Sequence, residues 1–171
     1  MQLIYLAALL TLLAGGSYLV VRQVLVRREL ETAAKALGER VRDGSASAEE
    51  LFEMGCVMLR KKVYTQAVRH LESALAAWDG EAEERAQVHN ALGFALASQE
   101  KVTAALEQYR QAVALQPGYV TAWNNMGDAY EKLKQNKEAL DAYAEALAYA
   151  PDNAIANDRA AYLRTRLSRL G

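Results

Sequence analysis

The chain has 171 residues with only two Pro and ten Gly, a length that suits one domain plus an appendage and a composition that favours helix. A net charge of −1 beside 52% hydrophobic residues excludes a disordered chain. The charge is unevenly placed: residues 22–42 hold six basic against three acidic side chains, 158–171 hold four Arg against Asp158, and 43–157 hold ten basic against seventeen acidic, so an acidic body sits between basic flanks and nucleic acid is excluded as a partner.

The first element in chain order is apolar. Leu3 to Val21 carries no charge, and Val24, Leu25 and Val26 resume the run after Arg22. About twenty helical residues at 1.5 Å each reach the roughly 30 Å of a bilayer core. The pattern predicts a transmembrane anchor over residues 1–26, in contact with lipid through 3–26, with Tyr5 and Tyr18 near its ends as interfacial aromatics. The competing expectation is a cleaved signal peptide, since Ala14-Gly15-Gly16 has small residues at cleavage-like spacing. Against it, no Lys or Arg precedes the run, and the run continues past the cut. Arg22, Arg27 and Arg28 follow the span directly, so the positive-inside rule puts the C-terminal side in the cytoplasm or its organellar equivalent. That side is reducing, which fits a single cysteine, Cys56, able to form neither an intrachain disulfide nor a structural zinc site.

Residues 27–46 read as a stalk. Leu30, Ala33, Leu37 and Val41 recur at helical steps, and Asp43-Gly44-Ser45 breaks the pattern. Ser47 and Glu50 then form a capping box that opens the next helix.

From there the chain repeats itself. His89-x-x-Leu92-Gly93-x-x-Leu96 and Trp123-x-x-Met126-Gly127-x-x-Tyr130 are offset by 34 residues. The offset is kept at Ala105 and Ala139, Tyr109 and Tyr143, Ala112 and Ala146, and Pro117 and Pro151. An earlier copy, Leu51-x-x-Met54-Gly55-x-x-Met58 followed by Ala67, Leu71 and Ala74, begins 38 residues before the second, so about four extra residues fall near Trp78 to Glu83. Small residues at fixed positions mark close helix crossings, and Pro117 and Pro151 end second helices. Residues 154–171 read as a capping helix, with Ile155, Tyr162, Leu163 and Leu167 packing inward and Arg159, Arg164, Arg166 and Arg169 on a soluble outer face.

These residues resemble the tetratricopeptide repeat (TPR), most fully in the third copy. The resemblance implies an all-α fold in which residues 47–153 form three helix-turn-helix repeats (48–83, 86–119 and 120–153) in a right-handed solenoid. It also implies a concave protein-binding groove lined from the first helix of each repeat. Carried onto this chain, the groove residues are Phe52, Glu53, Cys56, Asn90, Phe94, Asn124, Asn125 and Asp128. Asn side chains both donate to and accept from an extended peptide backbone, and Phe52 and Phe94 offer seats for apolar side chains. The alternative for the two Phe is packing against the stalk or the capping helix. The Lys/Arg clamp with which chaperone-binding repeats hold a terminal carboxylate is missing from the pattern.

No Ser-His-Asp arrangement, phosphate-cradling glycine loop or metal-ligand cluster appears; His89 sits at a repeat core position and His70 beside Arg69 and Glu72. No enzyme activity, cofactor, metal or small-molecule substrate is expected. The layout of one span, three repeats and a short last helix resembles the small thylakoid TPR family that assists photosystem I assembly. It implies membrane-complex subunits as partners and a repeat body on the stromal or cytoplasmic side. Alternatives with the same topology are a bacterial inner-membrane adaptor in envelope or cytochrome biogenesis and an organelle-surface receptor for targeting peptides.

Overall fold

The computed structural model describes residues 2–169, with side chains from residue 15 onward except at 30, 33, 34 and 36. Among the described residues there are eight helices and no strand. The chain divides into two units, Met1–Ser45 and Ala46–Gly171.

The first unit is one helix, α1 (Gln2–Arg42), unbroken through the stretch expected to hold both anchor and stalk. It ends where Asp43 and Gly44 turn the chain, with Gly44 at φ +76° and the Asp43 carboxylate accepting from the Ser45 hydroxyl and backbone N–H. Among the described residues no helix is long and apolar enough to cross a membrane. The span expected over residues 1–26 is therefore not found among the described residues. Residues 3–14, with Tyr5, and the stalk positions Leu30 and Ala33 lie outside the described side chains. In the described part Tyr18, Leu19, Val20, Val21, Val24, Leu25 and Val26 are all exposed.

The second unit is built from helix pairs. The first pair is α2 (Ala48–Arg60) with α3 (Tyr64–Ala77), the second α4 (Ala82–Ala97) with α5 (Val102–Leu115), and the third α6 (Val120–Lys132) with α7 (Asn136–Tyr149); α8 (Ala154–Ser168) follows. Each helix packs on the next, and α4 also touches α2 and α6, so the first helices of the pairs form one wall. This is the stacking of a solenoid. Ser47 caps α2 as expected: its hydroxyl accepts the Glu50 N–H at 3.3 Å, and the Glu50 carboxylate accepts the Ser47 N–H at 3.0 Å. The four extra residues of the first interval become an added turn at the start of α4, which begins at Ala82 where the 34-residue period predicts 86.

Inside each pair the smallest residues face the largest. Ala67, Ala105 and Ala139 are fully buried, as are Leu71, Tyr109 and Tyr143 to within 2%. A Cβ on Gly127 would lie 2.6 Å from Cζ of Tyr143; one on Gly93 would lie 2.5 Å from Cε1 of Tyr109. The side chain from the second helix fills the space that the glycine leaves. Between the paired helices, Lys62, Glu100 and Lys134 take left-handed φ of 60°, 63° and 61°. They close each first helix with the wide backbone bond of a Schellman turn, such as Gln135 N–H to Tyr130 O at 2.9 Å.

The last helix departs from expectation. Its packing side is Ala156, Ala160 and Leu163, all fully buried, while Ile155 and Tyr162 are exposed. Alanines bring α8 close onto α7, and the two bulkier side chains point elsewhere.

These contacts rank the glycines. At Gly55 the added Cβ would meet the flexible end of Leu71, Cγ and Cδ2, at 2.6 and 2.7 Å. At Gly127 it would meet the Tyr143 ring, whose hydroxyl is held by Glu131 at 2.9 Å. The gain in helix propensity from Gly to Ala is common to both and cancels. Gly127→Ala should therefore be less stable than Gly55→Ala by about 1–2 kcal/mol in denaturant unfolding followed by circular dichroism.

Candidate functional site

The first helices of the second and third pairs carry a run of asparagines on their shared wall. Asn90 of α4 donates from Nδ2 to the Tyr119 hydroxyl at 3.2 Å, and Asn125 of α6 donates from Nδ2 to Asn90 Oδ1 at 2.9 Å. One turn of side chains thus ties α4 to α6. Asn124 points the other way along the stack: its Nδ2 donates to Asn153 Oδ1 at 3.1 Å. Asn153 is the N-cap of α8, and the same Oδ1 accepts the Ala156 N–H at 2.9 Å. Asn124 is 9% exposed, and its Oδ1 is buried with no hydrogen-bond partner among the described residues.

Beside this run lies a cavity of about 260 Å³. Phe94, Ala97 and Ser98 form its α4 side; Asn124, Asn125, Asp128 and Lys132 its α6 side; Ile155 and Arg159 close it from α8. The rings of Tyr109 and Tyr143 complete the lining. Phe94 and Ile155 are large apolar side chains left 47% and 60% exposed. The charges in the wall are paired. Lys132 Nζ lies 2.7 Å from Asp128 Oδ2. Arg159 donates from Nε to Glu131 Oε1 at 2.8 Å and from Nη2 to Oε2, and the Tyr143 hydroxyl donates to Glu131 Oε1 at 2.9 Å. The Glu131 side chain is only 11% exposed.

Of the expected groove residues, Phe94, Asn124, Asn125 and Asp128 meet at this cavity. Asn90 reaches it only through Asn125. Phe52, Glu53 and Cys56 do not line it. Phe52 is half-buried with its ring edge-on to Trp78, centroids 6.3 Å apart, so its aromatic partner is neither of the two expected. Glu53 is exposed; Cys56 is half-buried, and burial pushes its thiol pKa up, away from reactivity. Arg159 was expected on the outer face of α8 and is instead bound to Glu131, a partner 28 residues back. Lys132, Glu131 and Ile155 carried no signal in the repeat pattern. His89 is half-buried, with Nδ1 2.8 Å from Gln108 Oε1 and a pKa lowered mainly by burial.

Two family models match this region: "TPR repeat" over residues 93–134 and "Tetratricopeptide repeat" over 120–153. A chloroplast protein of Arabidopsis thaliana, the tetratricopeptide repeat domain-containing protein PYG7, is 52% identical over 97% of this chain. The chain spans 55% of that relative's length. The ycf37 protein of Guillardia theta is 29% identical over 97% of this chain and 94% of its own. The chain carries tetratricopeptide repeats over residues 93–153. Among solved TPR structures, MamA of Desulfovibrio magneticus superposes with a TM-score of 0.73 at 21% identity, over 86% of this chain and 81% of that one. The first TPR domain of Spaghetti (RPAP3), solved with an HSP90 peptide, superposes at 0.66 with 23% identity, over 71% and 94%. TPR domains are protein-binding modules, and the name of PYG7 places that relative in the chloroplast.

The charge pair across α6 and α8 fixes how the TPR cavity closes. Hydrogen bonding to Glu131 raises the Arg159 pKa, so Arg159 stays charged at any working pH. Removing it leaves Glu131 mostly buried with only Tyr143 as donor. Arg159→Met should destabilise the protein by about 1–3 kcal/mol. In the Glu131→Leu background the same change should cost much less, so a double-mutant cycle read by thermal melting shows a coupling above about 1 kcal/mol.

Proposed function

We propose that this protein is a membrane-anchored TPR scaffold that binds subunits of a thylakoid membrane complex, photosystem I, and assists their assembly or stability without turnover. The observation that carries the binding part is the cavity between α4, α6 and α8: exposed apolar Phe94 and Ile155 stand beside amide side chains with free acceptor capacity. Such a surface suits a polypeptide, which brings apolar side chains and backbone amides together.

The thylakoid part has two supports. The layout resembles the membrane-anchored photosystem I assembly family, and the relative PYG7 is named as a chloroplast protein. The anchor itself rests on the uncharged run Leu3–Val21 and on the exposed apolar residues 18–26 of α1, which lipid would cover. Arg22, Arg27 and Arg28 would then hold the stromal or cytoplasmic end, each gaining about 1 kcal/mol near anionic lipid. An anchor confines the cavity to the membrane surface and raises its effective concentration towards membrane subunits with no new contact.

The test is recovery from membranes. Tagged protein, immunoprecipitated from detergent-solubilised thylakoids, should bring down photosystem I subunits. Phe94→Ala combined with Asn125→Ala removes an apolar seat and an amide, and should lower that recovery about tenfold or more while keeping the helical content, with only a small fall in melting temperature from the lost Asn125–Asn90 hydrogen bond. Equal recovery by the double variant would rule out the cavity as the working surface. Absence of photosystem I subunits from the wild-type sample would rule out the proposed complex.

A further inference from the structure

α8 packs on α7 through Ala156, Ala160 and Leu163 and leaves another side of itself open. That open side carries Ile155 and Tyr162, large side chains left 60% and 51% exposed. An open groove of about 640 Å³ runs along it, where small Ala161 and Thr165 lie beside Tyr162, Arg166 and Arg169. Small side chains at such a place let a second helix approach closely.

The order of residues on this face says which helix fits. Ile155, Asp158, Tyr162, Arg166 and Arg169 share it, at successive steps of 3, 4, 4 and 3 residues. The series reads the same in both directions, with Tyr162 at its centre. The charges do not: an acid stands four residues before Tyr162 and a base four residues after it. Eight residues separate the two, about 12 Å along the axis, too far to pair within one helix. Among the described residues Asp158, Arg166 and Arg169 have no ion-pair partner. A second copy, given a half-turn about an axis through Tyr162, supplies the match. Each Asp158 then faces Arg166 of the other copy, the two Tyr162 rings meet at the centre, and each Ile155 lies on the aliphatic stem of the other copy's Arg169.

We propose that α8 is a contact between two copies of this chain, helix against antiparallel helix across a two-fold axis at Tyr162. Such a contact closes on itself, so the assembly stops at two copies. One helix from each copy falls below the roughly 1,200 Å² of a stable soluble interface, so the contact is weak alone. Anchors that hold both copies in one bilayer raise their effective concentration and offset that weakness. The inference goes beyond the scaffold reading above and rests on it only for the anchor.

The full chain, with Cys56→Ala and a dye on Lys137→Cys at an exposed position of α7, would be reconstituted at low density in phosphatidylcholine vesicles. Donor- and acceptor-labelled copies should transfer energy. Arg166→Asp and Asp158→Arg, each alone, set like charges against each other at both ends of the contact and should lower the transfer about fivefold. Donor-labelled Arg166→Asp mixed with acceptor-labelled Asp158→Arg has opposite charges at both ends again and should recover the transfer, which also shows that neither variant has unfolded. In the Cys56→Ala background without dye, Tyr162→Cys lies on the axis and should cross-link on oxidation. Ile155→Cys should not, because its two copies stand about 21 Å apart along the helices. No transfer in the parent chain, no recovery in the mixture, or cross-linking through Ile155→Cys would overturn the inference. A face made for anionic lipid or an acidic protein would respond to each charge change separately and show no recovery in the mixture, which overturns it equally. No transfer, with photosystem I subunits still recovered from thylakoids, would leave the scaffold reading standing. Transfer and recovery of transfer, with no such subunits brought down, would do the reverse.

Discussion

The close approach of two helices within each repeat is the constraint on which the rest depends. Gly93 and Gly127 let a tyrosine ring from the second helix lie directly against the backbone of the first, and Gly55 does the same with Leu71. The tyrosines are buried, yet Tyr143 keeps its hydroxyl on Glu131. Burial pushes the Tyr109 and Tyr143 hydroxyls far above the usual phenol range, so both stay neutral and act as fixed packing bodies with polar tips. With the pair geometry set, successive pairs align their first helices into one wall, and only then do Asn90, Asn124 and Asn125 fall within reach of partners 29 to 35 residues away.

The repeat architecture was legible because it is a self-comparison. Eight positions at one offset need no knowledge of contacts, and the glycine, alanine and proline at those positions each have a steric reason. Four of the eight expected groove residues, Phe94, Asn124, Asn125 and Asp128, line one cavity, which follows from helix phase alone. The first repeat gave the poorer reading. Phe52 occupies the groove phase, but Trp78 stands in the irregular stretch between α3 and α4, where the period lapses, and takes its ring edge. No periodic pattern could have revealed that pairing.

The last helix was misread for a related reason. A capping helix is defined by having no next repeat, so its residues have no counterparts to align. Its polar look suggested an outer face of four arginines and an inner face of large apolar residues. Leu163 packs inward as expected, but its buried companions are the small Ala156 and Ala160, while Ile155 and Tyr162 stay exposed and Arg159 turns towards Glu131. The Tyr162 ring lies 5.5 Å from the Arg159 guanidinium, which adds a cation–π contact to the same arginine. Membrane placement is a different kind of reading, because hydropathy speaks of the solvent and not of the packing; there the charge-free run remains the informative feature.

Capping and the lining of the cavity are joined in α8. Asn153 starts that helix and orients Asn124; Ile155, two residues on, supplies apolar surface; Arg159, one turn further, ties the helix to Glu131. A helix that served only as a lid against solvent would need none of these three. An unpaired buried acceptor such as Asn124 Oδ1 costs about 1–3 kcal/mol, against which stands the bond from Asn124 Nδ2 to the α8 cap Asn153. The end of the solenoid is therefore where fold termination and the lining of the cavity are set by the same residues.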